Sequence, residues 1–359
     1  MAKKKPEKIL TLEERYDLMA KKFSGSIVQS LSKPTIKAVE VLSTGCLGID
    51  RIIGGGGWYR TGFNQVWGRP SIGKTTLLTS TAADASLKGM TTAYIDVEQK
   101  QDTDYFRECV IASGGNPEHI TQVKPDSGAA CLEIVLKLVG WVDLIIIDSI
   151  TAVVSTAVMD TDDIEQTFWA NQAKLLTQFV NAIRPKLGTC GPFNEQRPVP
   201  TAIVGISQAR ANMRTTGKGD GLYAPGPWAW KHAMAIDIKL LGEKKKFGFE
   251  GELIGIEAKA QVKKNVIGKP TLETGFDLLY GKGIDRALDA LRTGKDMGLV
   301  VTKGAWYKFA DGTAIGNGLD RAAEALRAEP ETLAKLRQDI AERIRNEALV
   351  SSEEAPQEV

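Results

Sequence analysis

Short hydrophobic runs alternate with longer segments of helical periodicity through the middle of the chain. Strands are predicted at residues 65–67, 91–96, 144–148 and 201–207, and helices at 74–87 and 129–139. Helices of this length connect neighbouring parallel strands. The runs at 94–95 and 144–147 are apolar without alternation, as in strands that are buried on both faces. The pattern predicts an α/β fold with a mostly parallel sheet flanked by helices, extending over residues 38–285.

The amino-terminal 37 residues predict a basic tail, one amphipathic helix and a linker. Thr11 and Glu14 have the spacing of a helix capping box. Apolar residues recur behind them at helical spacing: Ile9, Leu12, Tyr16, Met19 and Phe23. This apolar stripe fits two partners equally well, namely its own domain or a neighbouring subunit.

Beyond residue 285 the pattern changes to small helices, predicted at 286–291, 319–327 and 331–346. These helices surround the motif Gly304-Ala305-Trp306-Tyr307, and together they predict a second, small domain at residues 286–350. The last nine residues, 351–359, are acidic and poor in apolar side chains, which predicts a disordered tail.

Composition excludes several classes of protein. The chain has 359 residues, 43% of them hydrophobic, and a formal net charge of +2, as in a globular protein without a large charged field. No apolar run approaches the ~18 residues of a membrane span, and the basic amino terminus lacks a secretory apolar region. We therefore expect a cytoplasmic protein without membrane contact. The widely spaced Cys46, Cys109, Cys131 and Cys190 predict neither a zinc site nor disulfides, and two histidines cannot form a histidine-rich metal cluster.

A phosphate-binding loop is the most specific motif. Gly68-Arg69-Pro70-Ser71-Ile72-Gly73-Lys74-Thr75 matches GxxxxGK[ST] between a predicted strand and a predicted helix. In such a loop, backbone amides and the positive helix end hold phosphates. Lys74 is then expected to reach the β- and γ-phosphates, and Thr75 to offer its hydroxyl to magnesium.

Three further polar side chains follow predicted strands, at the sheet edge where open α/β sheets bind ligands. Asp148 ends the buried strand at 144–147 and is a candidate magnesium ligand acting through water. Glu98 follows the strand at 91–96 and is the candidate group that orients the attacking water. Gln208 follows the strand at 201–207 and is a candidate sensor of the γ-phosphate.

The segment from Ala209 to Lys231 has no periodicity and is rich in glycine and proline. It contains four basic residues, Arg210, Arg214, Lys218 and Lys231, against the single carboxylate of Asp220. Tyr223, Trp228 and Trp230 are interleaved with them, which suits phosphate contacts and base stacking on single-stranded nucleic acid. The alternative is a surface loop whose tryptophans pack locally. A shorter segment at 155–167 is acidic, so its charge alone does not indicate DNA binding.

In this order, these pieces resemble the RecA family of homologous-recombination ATPases over about residues 12–345. The landmarks are Ser43-Thr44-Gly45-Cys46-Leu47, the phosphate loop, Ile95-Asp96-Val97-Glu98, residues 142–149, Ile206-Ser207-Gln208, Lys264-Asn265, Leu279-Tyr280-Gly281 and Gly304-Ala305-Trp306-Tyr307. The resemblance implies a P-loop NTPase core of RecA-like fold, an amino-terminal helix that docks on the next subunit, and a small carboxy-terminal α/β domain.

The resemblance also implies the function: an ATP-dependent helical filament on single-stranded DNA, which pairs it with double-stranded DNA and exchanges strands. ATP and Mg2+ would bind the phosphate loop, including Thr76, with Asp102 and Tyr105 near the adenine. Lys264 would reach the γ-phosphate of the neighbouring subunit. The two DNA-binding loops would be the segments after Asp148 and after Gln208, with these expected contacts: Met159, Ile164, Arg210, Arg214 and Lys218. Repressor or mediator proteins are possible further partners.

The chain departs from the family pattern at several places. Val266 replaces a second lysine, so the contact in trans is expected to be weaker or shared with Lys263 or Lys269. Pro70 replaces a glutamate, Ala224-Pro225 replace paired glycines, and Trp230 replaces a phenylalanine. We expect altered coupling or DNA affinity. The alternatives are a hexameric DNA helicase, a mediator that binds ATP without hydrolysing it and, less favoured, a small-molecule kinase.

Overall fold

The computed structural model describes residues 11–22, 40–156, 166–187, 199–211, 222–225, 228–248 and 250–353. The basic tail, the linker and most of the two expected DNA-binding segments lie outside these ranges. Helix α1 (Leu12–Lys22) begins at the predicted capping box. Thr11 N donates to Glu14 Oε2 at 2.9 Å and Glu14 N donates to Thr11 Oγ1 at 3.2 Å, which confirms the box. Leu18 and Met19 of this helix are half exposed.

In the described part of the chain, four short strands form two antiparallel pairs and nine others form one large sheet. The short pairs are β1 (Val41–Leu42) with β2 (Trp58–Tyr59), and β8 (Arg210–Ala211) with β9 (Leu222–Tyr223). The large sheet contains β3 (Phe63–Gly68), β4 (Thr92–Asp96), β5 (Ile120–Val123), β6 (Leu144–Asp148), β7 (Ala202–Gln208), β10 (Met234–Phe247), β11 (Leu253–Asn265), β12 (Glu273–Leu279) and β13 (Gly283–Ile284).

The spatial order of the large sheet is β13-β12-β11-β10-β3-β7-β6-β4-β5. Neighbouring strands from β10 to β5 run parallel, whereas β11, β12 and β13 extend the sheet in antiparallel fashion. The predicted mostly parallel sheet is therefore confirmed, and the antiparallel extension is a feature that the sequence pattern did not predict. Because β3, β7, β6 and β4 are parallel neighbours, their carboxyl ends meet at one edge.

Helices cover both faces of the sheet. Ahead of the small domain they are α2 (Leu47–Ile53), α3 (Lys74–Leu87), α4 (Thr103–Ala112), α5 (Gly128–Leu138), α6 (Ile150–Thr156), α7 (Gln166–Leu187) and α8 (Trp228–Ala233). Along β6, Leu144 and Ile146 face a core shared with α3, whereas Ile145 and Ile147 face a core shared with α5 and α7. Burial on both faces explains why this strand lacks alternation, and each such side chain contributes about 1.5–3 kcal/mol. Helix α3 has the bounds that were predicted; the helices that were not predicted are α2, α4, α6, α7 and α8.

The small domain packs three helices on a three-stranded antiparallel sheet. Its elements are α9 (Arg286–Asp296), β14 (Val300–Lys303), β15 (Trp306–Phe309), β16 (Ala314–Asn317), α10 (Leu319–Ala328) and α11 (Pro330–Glu353). Leu288, Leu291, Leu326 and Ile340 are buried in its core together with Leu47 from α2. The prediction of a disordered tail from residue 351 is wrong for its first three residues, because α11 continues to Glu353.

The described residues also bear on the excluded classes. None of their helices is long and apolar enough to cross a bilayer. Cys46, Cys109 and Cys131 are free thiols, and Cys190 lies outside the described ranges. Within those ranges no cluster of three or more histidine, cysteine, aspartate or glutamate side chains is arranged to hold a metal ion.

Candidate active site

The phosphate-binding loop connects β3 to α3 with the backbone geometry that its sequence requires. β3 ends at Gly68 and α3 begins at Lys74. Gly73 has φ +90°, and a Cβ there would lie 2.1 Å from Leu278 Cδ1, so no other residue fits this position without movement. Ser71 also has a positive φ, +59°. The backbone therefore turns sharply before the amino terminus of α3, where free amides point at the space above the loop.

Lys74 is buried inside the curve of this loop. Its Nζ donates to the carbonyl oxygen of Gly68 at 3.2 Å and to that of Arg69 at 2.6 Å. Burial lowers the pKa of Lys74, and the nearby carboxylates of Asp148 and Glu98 oppose this effect. The ammonium group is thus held at the centre of the loop, close to two carboxylates.

Asp148, at the end of β6, accepts hydrogen bonds from two hydroxyl groups. Thr75 Oγ1 donates to Asp148 Oδ2 at 2.9 Å, and Tyr94 OH donates to the same oxygen at 2.8 Å. Burial raises the pKa of Asp148, while the two hydroxyls act in the opposite direction by stabilising its charged form. The Thr75 proton points at Asp148, so the lone pairs of the Thr75 oxygen remain available to a cation.

Glu98 lies just beyond β4 and contacts three side chains from different parts of the chain. Ser149 Oγ and Gln208 Nε2 both donate to Glu98 Oε1, at 2.8 and 3.2 Å, and Lys100 Nζ lies 2.7 Å from Oε2. Burial would raise the pKa of Glu98, but the hydrogen bonds from Lys100, Ser149 and Gln208 outweigh it and lower the pKa. The group is therefore a carboxylate at neutral pH, and the two strand-end residues Glu98 and Gln208 are in direct contact.

A cleft of about 290 Å³ opens beside the loop. Its walls are Ser71, Gly73, Lys74, Thr75, Thr76, Ile256, Leu278 and Tyr280. The apolar side is formed by the antiparallel strands β11 and β12, which the sequence pattern did not predict. Arg69 and Pro70 are exposed at the rim of the loop, and Ile72 is buried beneath it.

The two residues expected near adenine have other contacts as well. Asp102 is the amino-terminal cap of α4, and its Oδ1 accepts from Tyr105 N at 2.8 Å. The half-exposed ring of Tyr105 places its hydroxyl against Cys109 and the backbone of Gly281, next to the cleft residue Tyr280. Tyr105 therefore lies close to the part of the cleft wall that Tyr280 forms, and Asp102 caps the helix that carries it.

Lys264, expected to act in a neighbouring subunit, lies on β11 away from the phosphate loop of its own chain. Its Nζ donates to the carbonyl oxygens of Lys231 and His232 at 3.0 and 3.1 Å, at the end of α8. Burial lowers its pKa. Val266, two residues on, is exposed.

The expected DNA-binding residues are only partly described. Arg210 is exposed, lies two residues after Gln208 and pairs with Tyr223 across β8 and β9. Met159, Ile164, Arg214 and Lys218 lie outside the described ranges. Trp228 is 76% exposed, with its ring stacked on His232 and Lys231 Nζ 5.9 Å from its centre. Trp230 is fully buried, so the prediction that this side chain is free to stack on bases is wrong.

Sequence reasoning missed three contributions to this site. Tyr94 looked like an ordinary core residue of a strand, yet its hydroxyl reaches Asp148 from the neighbouring strand. Ser149 and Lys100 flank predicted residues and fix Glu98. Their only local signal was proximity in sequence to Asp148 and Glu98.

The residues present fit a magnesium nucleotide. Mg2+ prefers oxygen ligands, and the adjacent Thr75 hydroxyl and Asp148 carboxylate are of that kind. A buried lysine and the amides at the start of α3 form a cradle for phosphate groups, and a Cβ at position 73 would collide with Leu278 in the wall of the adjoining cleft.

Comparison with known proteins agrees with this arrangement. The profile of the RecA N-terminal domain matches residues 10–285, and that of the RecA C-terminal domain matches residues 289–345. The chain is 33% identical to Protein RecA of Desulforapulum autotrophicum over 98% of this chain and 96% of that protein. It is 32% identical to Protein RecA of Gluconobacter oxydans, covering 92% and 90% of the two chains. Protein RecA of Thermus thermophilus is 30% identical, covering 96% and 97%.

Proposed function

The chain belongs to the RecA family of DNA recombination and repair proteins, and from that premise we propose that it is a single-stranded-DNA-dependent ATPase. We propose that it assembles as a helical filament on single-stranded DNA and exchanges strands with double-stranded DNA. One observation carries the proposal furthest: Gln208 Nε2 lies 3.2 Å from Glu98 Oε1. This contact joins the candidate hydrolytic carboxylate to the strand that leads directly into the basic segment.

The phosphate loop would bind the triphosphate of ATP. The amides at the start of α3 and the Lys74 ammonium would hold the β- and γ-phosphates, with Thr75 and Asp148 holding Mg2+. Mg2+, when bound, neutralises charge on the phosphate oxygens. Lys74 would exchange its contacts with the Gly68 and Arg69 carbonyls for contacts with phosphate oxygens, a short movement of one side chain.

Glu98 would orient the water that attacks the γ-phosphate and accept its proton. The carboxylate is suited to this role because its pKa is lowered and it is ionised at neutral pH. Ser149 and Lys100 fix its two oxygens, so little reorganisation would be needed at the moment of reaction.

DNA would control the reaction through Gln208. Gln208 contacts Glu98 and is followed directly by Ala209, the first residue of the basic segment. Contacts of Arg210, Arg214 and Lys218 with the DNA backbone would pull on this residue and shift its amide between Glu98 and the γ-phosphate. Strand exchange itself needs little net energy, because base pairs that are broken are replaced by base pairs that form.

A neighbouring subunit would complete the site. Lys264 is directed away from the phosphate loop of its own chain, and a lysine there can contribute to hydrolysis only in trans. With Val266 exposed and uncharged in place of a second lysine, a single cation would act across the interface. Hydrolysis should therefore be slow without filament assembly on DNA.

ATP turnover with and without single-stranded DNA tests the proposal directly, with negative-stain microscopy of the same samples. We expect DNA-stimulated hydrolysis and helical filaments from the wild type, and loss of both from Lys74→Ala. The affinity for single-stranded DNA should be higher with ATP than with ADP. Equal affinity for single-stranded DNA with ATP, with ADP and without nucleotide would contradict the proposal. Closed rings that hydrolyse ATP while moving along DNA would contradict it as well.

A further inference from the structure

A buried hydrogen-bonded bridge connects α8 to the two central strands of the sheet. Gln65 on β3 is fully buried, and its Oε1 accepts from Trp230 Nε1 at 2.7 Å and from Ser207 Oγ at 3.2 Å. Its Nε2 donates to Asp237 Oδ1 on β10 at 3.2 Å. One carboxamide therefore ties together three strands and a helix.

The residues of the bridge lie next to the phosphate loop and to both ends of the 209–227 segment. Gln65 lies on the strand that enters the phosphate loop, and Ser207 directly precedes Gln208. Trp230 lies on the first helix after the 209–227 segment. The bridge thus links α8, which follows the segment, to β7, which precedes it. On β7 the point of contact is Ser207, the residue before Gln208.

The indole ring is held in a pocket that leaves it little freedom. It packs edge-on against Phe63, with ring centres 5.1 Å apart. A Cβ on Gly205 would lie 3.1 Å from Trp230 Cζ2, so the absence of a side chain at that position makes room for the ring. Lys264 holds the other end of α8 through the carbonyls of Lys231 and His232. The helix is therefore fixed at both its core-facing side and its carboxyl end.

The hydrogen bond is separable from the packing. A phenylalanine at this position would fill most of the same pocket but could not donate to Gln65. Oε1 of Gln65 would then retain only the longer hydrogen bond from Ser207, in an environment where an unsatisfied amide is costly. The link between α8 and the central strands therefore depends on the indole N–H of Trp230.

We propose that Gln65 and Trp230 are positioning residues, which couple the exit of the 209–227 segment to Gln208 and thereby transmit DNA binding to the hydrolytic site. The inference rests on the proposed function, because it concerns stimulation of ATP hydrolysis by DNA. Force on the segment at its exit would reach Ser207 through the Gln65 carboxamide, and Ser207 would carry it to the adjacent Gln208. Both ends of the segment would then act on Gln208 together. If α8 were not tied to Gln65, the segment could move without displacing Gln208.

The test compares Trp230→Phe and Gln65→Met with the wild type and with Trp58→Phe. Trp58 is equally buried, but its Nε1 has no hydrogen-bond partner, so this control removes an indole without removing a bridge. We expect the ratio of DNA-stimulated to basal ATP hydrolysis to fall by about threefold to tenfold in both bridge variants. Basal hydrolysis should remain at the wild-type value in the bridge variants. In Trp58→Phe the ratio of DNA-stimulated to basal hydrolysis should also remain at the wild-type value.

Two further measurements separate coupling from a general loss of stability. The double variant should show no larger loss of stimulation than either single variant, because both substitutions break the same link. The preference of single-stranded DNA binding for an ATP analogue over ADP should weaken in parallel, whatever the change in melting temperature.

The inference is overturned if the bridge variants lower the melting temperature but keep the wild-type stimulation ratio, or if Trp58→Phe lowers that ratio equally. In both cases the proposed function stands, because the wild type is still stimulated by DNA. If the wild type hydrolyses ATP without any response to DNA, the proposed function fails and the inference fails with it.

Discussion

Two regions of this molecule concentrate buried charge, and they differ in how that charge is balanced. At the junction between the core and the small domain, Asp289 on α9 accepts from the amides of Leu47 and Gly48 and from Arg337 Nη1, all within 3.1 Å. Arg337 in turn donates to the Gly45 carbonyl at 3.0 Å. At the nucleotide edge of the sheet, Asp148 and Glu98 are held mainly by hydroxyl, amide and exposed lysine groups.

The difference separates stability from binding. A buried ion pair that is fully hydrogen-bonded, like Asp289 with Arg337, fixes one arrangement of two domains and has no oxygen left for a ligand. The carboxylates at the sheet edge keep lone pairs for a ligand, and burial without a paired cation raises the pKa of Asp148. We therefore expect substitutions in the junction to change unfolding and substitutions at the edge to change catalysis, with little overlap.

Arg337→Met should produce the largest effect on stability. It leaves the buried carboxylate of Asp289 without its cation, and breaking such a pair typically costs about 3–5 kcal/mol. Urea unfolding measures the loss. The control is Arg343→Met on the same helix, where the exposed pair with Glu347 should contribute at most about 0.5 kcal/mol. ATP hydrolysis per folded molecule should not change, and a catalytic defect in folded Arg337→Met would break the comparison.

Glu98→Gln should have the largest effect on catalysis and little effect on stability. An amide cannot accept the proton of the attacking water, so we expect hydrolysis to fall by about 100-fold. Nucleotide affinity, followed with a fluorescent ATP analogue, should remain near the wild-type value. Lys100→Met is the matched control, since it removes the ion pair and keeps the carboxylate. Hydrolysis by Glu98→Gln at the wild-type rate would remove Glu98 from the mechanism.

Local motifs made much of the nucleotide edge predictable. The glycine-rich loop encodes both the turn and the start of the helix, which is why α3 was predicted with its observed bounds. Asp148 and Gln208 could be placed at the same edge because parallel strands bring their carboxyl ends together. Their contacts with Thr75 and Glu98 then follow from the order of the strands.

Contacts between distant segments left no such pattern. Arg337 meets Gly45 across 292 positions of sequence, and although Gly45 belongs to a landmark motif, nothing in that motif indicates a contact with Arg337. The burial of Trp230 depends on the missing side chain of Gly205 and on Gln65, so composition alone suggested an exposed stacking residue. The antiparallel strands β11 and β12 were missed although β11 does alternate, with Ile256, Ala258, Ala260 and Val262 buried and polar residues between them.

Asp50 tests the junction through pH. Its carboxylate accepts from Ser43 Oγ and Thr44 N, and burial raises its pKa from 3.8 to about 7. Because the pKa in the folded state exceeds that in the unfolded chain, this group favours folding at low pH, and the contribution is lost as pH rises towards 7. Between pH 5.5 and 8 we expect roughly 2 kcal/mol of lost unfolding free energy.

Asp50→Asn should flatten this pH dependence, because the amide keeps an acceptor oxygen and does not titrate. Urea unfolding at the two pH values measures the change. Asp296→Asn is the control, since Asp296 is 59% exposed in its pair with Arg51 and its loss should leave the slope unaltered. If the unfolding free energy depends on pH equally in the wild type and in Asp50→Asn, the junction does not hold a protonated carboxyl group.

Tyr94→Phe should have the smallest effect on hydrolysis, and it tests a single hydrogen bond at the nucleotide edge. The substitution removes the hydroxyl that donates to Asp148 Oδ2 and keeps the ring, which packs on Phe106 with centres 4.6 Å apart. Without this donor the pKa of Asp148 should rise further, and Mg2+ must compete with a proton more often. We expect the Mg2+ concentration for half-maximal hydrolysis to increase about fivefold, as for the loss of about 1 kcal/mol. Tyr307→Phe in the small domain should not alter it, and a wild-type Mg2+ requirement in Tyr94→Phe would show that Thr75 alone suffices to hold Asp148 in its charged form.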